Sequence, residues 1–147
     1  MPGIVCAIRG GPDSQPTIQK AIEVARETGQ PVYFLYVVNL DFLTHTASSR
    51  VHIISEEMEE LGDFILRAAQ AEAEGQGVVA EGIIKHGKVG KEISAVCHEL
   101  GADYVVLGKP RGKSEKDVFT HEKLVEYAQQ IEEITGAEAV FAGKDER

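Results

Sequence analysis

Lys109, Arg111, Lys113 and Lys116 crowd four cations into one short stretch of a chain whose 147 residues carry a formal net charge of −9. Residues 108 to 114 read GKPRGKS, close to the phosphate-cradling P-loop. That loop needs four residues between its glycines, so that successive backbone N–H groups wrap a phosphate at the start of a helix. Only three residues separate Gly108 from Gly112, and the SEKDVFTHEK that follows offers no apolar stripe until about Leu124. A Walker-type site is therefore set aside. Two chemistries stay open. Gly108 and Pro110 can make a stiff turn whose cations are simply solvated, or Lys109, Arg111 or Lys113 can lean toward a phosphate beside a sheet edge.

A second glycine turn, RGGPDS at residues 9 to 14, would let backbone amides approach an anion, with Asp13 or Ser14 as N-cap of a helix starting near Pro16. The plainer alternative is a turn that serves helix geometry alone. Other reactive side chains are scattered. His45, His52, His86, His98 and His121 form no HxH, HExxH or i, i+4 pair, and Cys6 and Cys97 have no CxxC partner, so no metal site is expected. His98 adjoins Cys97, but neighbours on a helix point to different faces. Ser114 lacks a G-x-S-x-G elbow. No catalytic residue is assigned.

These turns need a frame. IVCAI (4–8) and VYFLYVV (32–38) are continuous apolar runs, as expected of strands covered on both faces of a parallel sheet. Between them Ile18, Ala21, Ile22 and Ala25 recur at helical spacing, and Gly29 with Pro31 supplies a stop. The alternation continues. After a polar loop near residues 40 to 50, Ile54, Met58, Leu61, Ile65 and Ala69 predict a long helix ending near Gly75, followed by a weaker strand, VVAEGII (78–84). Ile93, Val96, Cys97 and Leu100 predict a third helix closed by Gly101, before the buried strand ADYVVLG (102–108). Leu124, Tyr127, Ala128 and Ile131 predict a fourth, stopped by Gly136, before the strand EAVFA (138–142).

Five strands alternating with four helices imply an α/β fold, a single-domain open parallel sheet with helices on both faces. Residues 1–143 form the domain and 144–147 a frayed tail. Ligands of such sheets collect beyond the carboxyl ends of the strands where strand order reverses, so the turns after residues 8, 38 and 108 matter most. Composition narrows the partners. The acidic balance disfavours nucleic acid, no apolar run reaches the length of a membrane span, and two isolated cysteines suit a reduced, cytoplasmic protein. An exposed last strand at residues 138–142 would invite a homodimer.

GIVCAIRGGPDSQPTIQKAIEVARETGQPVYFLYVV resembles the first βαβ unit of the universal stress protein family, and IIKHGKVGKEISAVCHELGADYVVLG is similar to its glycine turn, helix and GAD-strand-glycine stretch. The resemblance runs along nearly the whole chain and is most specific from Gly101 to Gly108. It implies a five-stranded sheet in the order 3-2-1-4-5, like that of adenine nucleotide alpha hydrolases, and a dimer through the last strand. Some members bind ATP through an aspartate after the first strand, a valine ending the second, and a G-x-x-G then G-[ST] loop after the fourth. Carried over, Val37 matches the valine and Gly108 the first loop glycine; Gly112 matches the second with one residue inserted. Arg9 stands at the aspartate position, and no G-[ST] follows, which removes half of the phosphate cradle.

The resemblance therefore implies a regulatory or stress-response binding module. Its site, of altered chemistry, would take ATP or another adenine nucleotide at Ile8, Arg9, Gly10, Val37, Leu107, Gly108, Lys109, Arg111 and Gly112. Two alternatives remain. RGGPDS resembles the SGGxDS loop of the N-type ATP pyrophosphatases, with Arg9 at the first serine and Gln15 at the final hydroxyl residue, although 147 residues leave no room for their usual substrate domain. The other is a dimeric protein without nucleotide whose basic loop docks an acidic partner.

Overall fold

A strand covered on both faces must place apolar side chains on each, and the second strand does so. The computed structural model describes residues 3–9, 14–40, 48–108 and 121–142, the side chains of 48, 49 and 121–124 excepted. The elements run β1 (Ile4–Ala7), α1 (Gln15–Thr28), β2 (Val32–Val38), α2 (Ser48–Gly75), β3 (Ala80–His86), α3 (Val89–Leu100), β4 (Tyr104–Gly108), α4 (His121–Thr135) and β5 (Glu138–Ala142). All four strand pairings are parallel, in the order β3-β2-β1-β4-β5.

Strand alternation divides the apolar residues between two cores. Ile4 and Cys6 of β1 and Phe34, Tyr36 and Val38 of β2 pack with α1 and α2 residues such as Ile22 and Leu66. Val5 and Leu35 face the other way, onto Ile93 and Cys97 of α3 and Ile131 of α4. The sheet is thus the middle of three layers, and the continuous apolar runs are explained. Gly29 closes α1 at φ 74, its N–H donating to the Ala25 carbonyl; a side chain there would be strained, so the glycine is a true stop.

Several expected boundaries shift. β1 ends at Ala7, and Ile8 instead donates its N–H to the Leu35 carbonyl at 2.9 Å while leaving the strand. β3 lies at Ala80–His86 rather than 78–84 because Val78 tucks under the α2 turn, its N–H on the Ala73 carbonyl, and Val79 is left exposed. β4 begins at Tyr104, since the Ala102 N–H is used by the Cys97 carbonyl that ends α3. Leu61, expected on the buried stripe of α2, is 53% exposed. The inward positions are Gly62, Leu66, Ala69 and Ala73. A Cβ on Gly62 would come within 2.7 Å of Tyr36 Cε2, so the helix approaches the sheet through a residue that apolar periodicity cannot register.

Candidate functional site

Because β1 lies between β2 and β4, the chain moves outward from β1 on one side and later returns to its other side. That reversal puts the switch point of strand order at the carboxyl edge between β1 and β4, the place where open α/β sheets hold ligands. The register pairs Cys6 with Val106, so the turns that leave Ala7 and Gly108 emerge at one end of the sheet. Most of both glycine-containing turns, residues 10–13 and 109–114, lies outside the described residues.

Each described wall has a specific support. Gly108 sits so close to the first turn of α1 that a Cβ would lie 2.8 Å from Thr17 Oγ1. Thr17 is a polar residue only 4% exposed, and its carbonyl accepts a long contact of 3.7 Å from the Cys6 thiol. Past β1 the Arg9 N–H donates to Ser14 Oγ at 3.2 Å. Ser14 is the N-cap of α1, yet its side chain makes no cap bond to the helix; contrary to the capping role expected of it, its hydroxyl accepts from the Arg9 N–H. Pro16 lies in the first turn, which carries no acidic residue, so the positive end of α1 is not neutralised by its own side chains.

Of the residues assigned from sequence, the structure brings Ile8, Arg9, Val37, Leu107 and Gly108 to the strand ends at this edge. Ile8 and Leu107 are 4% and 3% exposed, Ile8 in the α1 and α2 layer and Leu107 in the other. Val37 is half-buried on the α3 and α4 side. The Arg9 side chain is exposed. Gly10, Lys109, Arg111 and Gly112 lie outside the described residues, as do His45 and the tail from residue 143.

Two features at this end were missed from sequence. Thr17 reads as an ordinary first-turn residue, and only the approach of Gly108 singles it out. Farther along the edge, His86 Nε2 lies 2.5 Å from Glu59 Oε2, and Lys85 Nζ lies 3.9 Å from Glu99 Oε1, so the end of β3 is bound to α2 on one face and α3 on the other. The thiols are not available as nucleophiles. Cys6 and Cys97 are buried, and loss of water pushes Cys97 up to about 12 and Cys6 higher still. Among the described residues no group of three or more His, Cys, Asp or Glu could hold a metal, and no helix is long and apolar enough to cross a membrane.

A family model described as the universal stress protein family matches residues 2–120. No curated protein is matched at a significant level. Among solved structures the chain is similar to the universal stress protein UspA from Lactobacillus plantarum, at 15% identity and TM-score 0.75, covering 97% of each chain. It is also similar to the universal stress protein from Archaeoglobus fulgidus in complex with dAMP, at 16% identity and TM-score 0.62, covering 97% of this chain and 98% of that one. A universal stress protein in complex with cAMP aligns at 13% identity and TM-score 0.70, covering 98% of both. At these identities the structural likeness speaks for the fold.

Proposed function

The chain belongs to the universal stress protein family, and from that premise we propose that it is a regulatory binding module that holds an adenine nucleotide in the mouth between β1 and β4. The observation that carries the reading is the approach of Gly108 to Thr17, which sets the exit of β4 against the unneutralised start of α1. An anion there meets the positive end of a helix. Complexes of structural relatives with dAMP and cAMP favour an adenylate as that anion.

Arg9 gives the site its own chemistry. A carboxylate in its place would need a bridging cation to tolerate a phosphate, whereas a guanidinium neutralises one directly with charge-assisted hydrogen bonds. Lys109 and Arg111 follow Gly108 in the chain, and their charge would favour the same anion. Nucleotide binding by this route needs no divalent ion. Calorimetric titration with ATP, ADP and AMP, each with and without a chelator, tests it. Binding that survives chelation and weakens about tenfold in Arg9→Glu is expected; no heat at millimolar nucleotide overturns the site. Conversion of ATP to AMP and pyrophosphate would instead favour the pyrophosphatase reading.

The second part of the proposal is a homodimer through β5, which lies at the sheet edge with a hydrogen-bonded neighbour on one side. Glu138 donates its N–H inward to the Asp103 carbonyl, so the N–H groups of Ala139 and Phe141 face outward by strand alternation. Such an edge is a template for a second copy across a two-fold axis. Light scattering at high micromolar concentration should return twice the chain mass; a monomer mass would refute it.

A further inference from the structure

The outer face of α2 carries apolar side chains that the fold leaves uncovered. Its inner face is already accounted for by Gly62, Leu66, Ala69 and Ala73. At about 100° per residue, Ile53, Leu61, Phe64 and Ala68 fall within about 80° of one another and away from that inner stripe. Ile53 is 54% exposed, Leu61 53% and Phe64 71%. Isolated apolar residues on a surface are ordinary, but three large ones aligned on one helix form the kind of patch that marks an interaction site.

Charge decides what can cover it. Residues 48–75 contain seven carboxylates and two arginines, a net of −5 within the chain's −9. Glu57 projects within the apolar stripe, and Glu56 and Glu60 run along its flank, all three exposed. Of the two arginines, Arg67 is engaged by Asp63 at 3.0 Å. A bilayer surface is a poor match, because helices that lie on anionic membranes present lysine and arginine around their apolar face. A second copy is also a poor match. A two-fold axis would set this acidic flank, net −5 over the helix, largely against itself, with Arg50 of each copy left to offset several carboxylates.

We infer that the Ile53, Leu61 and Phe64 stripe of α2 is a docking surface for a basic amphipathic helix of a partner protein. Its apolar spine covers Phe64 and Leu61, and its lysines or arginines face Glu57 and Glu60. The aromatic ring supplies the anchor and the carboxylates supply the selection by charge.

The test uses the full-length protein and a synthetic, tryptophan-labelled amphipathic peptide about five turns long, with a leucine spine and lysine flanks. A peptide of the same spine with glutamate flanks is the control. Fluorescence titration should show binding of the lysine peptide that weakens as salt rises, and no binding of the glutamate peptide. Phe64→Ser should weaken binding about tenfold, with a thermal midpoint close to that of the parent because the ring is exposed. Glu57→Lys/Glu60→Lys should abolish binding, while the charge-matched Glu126→Lys/Glu133→Lys on α4 leaves it within about a factor of two. Equal losses from both charge pairs, or unchanged binding in Phe64→Ser, would reduce the effect to diffuse attraction and overturn the proposal. Self-association relieved by Phe64→Ser would assign the face to a second copy, and sedimentation with anionic vesicles would assign it to a membrane; either result overturns the proposal as well.

Discussion

Cys97 is fully buried in the core cluster against which the half-buried Tyr127 packs, and the Tyr127 hydroxyl donates to the Gly90 carbonyl at 2.7 Å. Burial above all, and then the Cys97 charge, raises the tyrosine; burial holds the Cys97 thiol up to about 12. In the unfolded chain a thiol loses its proton near pH 8.5. The native state therefore binds more protons in between, and its stability is complete below about pH 8.5 and falls as pH rises toward about 12. Each such group contributes a slope of up to about 1.4 kcal/mol per pH unit. Urea denaturation at several pH values from about 8 to about 10 should show that decline, and Cys97→Ala should decline less steeply. Parallel slopes would mean that the thiol ionises while folded. At this scale the two cysteines are legible as buried because each sits in an apolar run. Thr17 is not, since its meaning depends on Gly108, ninety-one residues away in sequence.

The same contrast holds for whole elements. In α2, replacing a mid-helix glycine by alanine ordinarily gains about 1 kcal/mol, yet Gly62→Ala is expected to lose stability. Its Cβ would meet the body of the Tyr36 ring, which is 7% exposed and has nowhere to move, and overpacking of this kind costs about 1–3 kcal/mol. A lower urea midpoint for the variant checks it. Apolar pattern alone predicted Leu61 inside, because period counting registers side chains and the closest helix-to-sheet contact uses the residue that has none. VYFLYVV and EAVFA match β2 and β5 to the residue, since strand breakers stand outside each, Pro31 and Asn39 around the first and Gly136 and Gly143 around the second. β3 was displaced because it is an edge strand, where Glu81, Lys85 and His86 can stay wet, and the apolar pair Val78 and Val79 precedes it at the turn. At the opposite edge, Glu132 Oε2 accepts the outward Ala139 N–H at 2.9 Å, capping one of the groups that a second copy would use. Glu132→Ala should therefore lower the melting temperature of the monomer slightly and tighten the proposed dimer. Sedimentation velocity over a concentration series reads the second effect, and a weaker dimer would place the contact elsewhere.

Over the whole molecule, charge sets the terms on which these parts work. The layering was legible at this scale, because alternating apolar runs and helical stripes imply a parallel sheet with helices on both faces; the strand order came with the family resemblance, which the GAD-strand-glycine stretch carries. The charge was legible too. The described ion pairs, such as Lys20 with Glu23 and Arg67 with Asp63, are solvent-exposed and each contributes little. Against them stands a net of −9 on 147 residues, whose mutual repulsion favours expansion. At about 0.01 M salt the screening length is about 30 Å, so most carboxylates feel one another across the molecule; at about 0.15 M it is about 8 Å and the repulsion becomes local. Salt should thus raise the melting temperature over this range, and Glu57→Lys/Glu60→Lys should flatten the rise by diluting the densest acidic face. Calorimetric scans of both proteins at the two ionic strengths measure it. A melting temperature that falls with salt would mean that attractive pairs outweigh the net charge, and the acidic face of α2 would then lose its claim to dominate what approaches the protein.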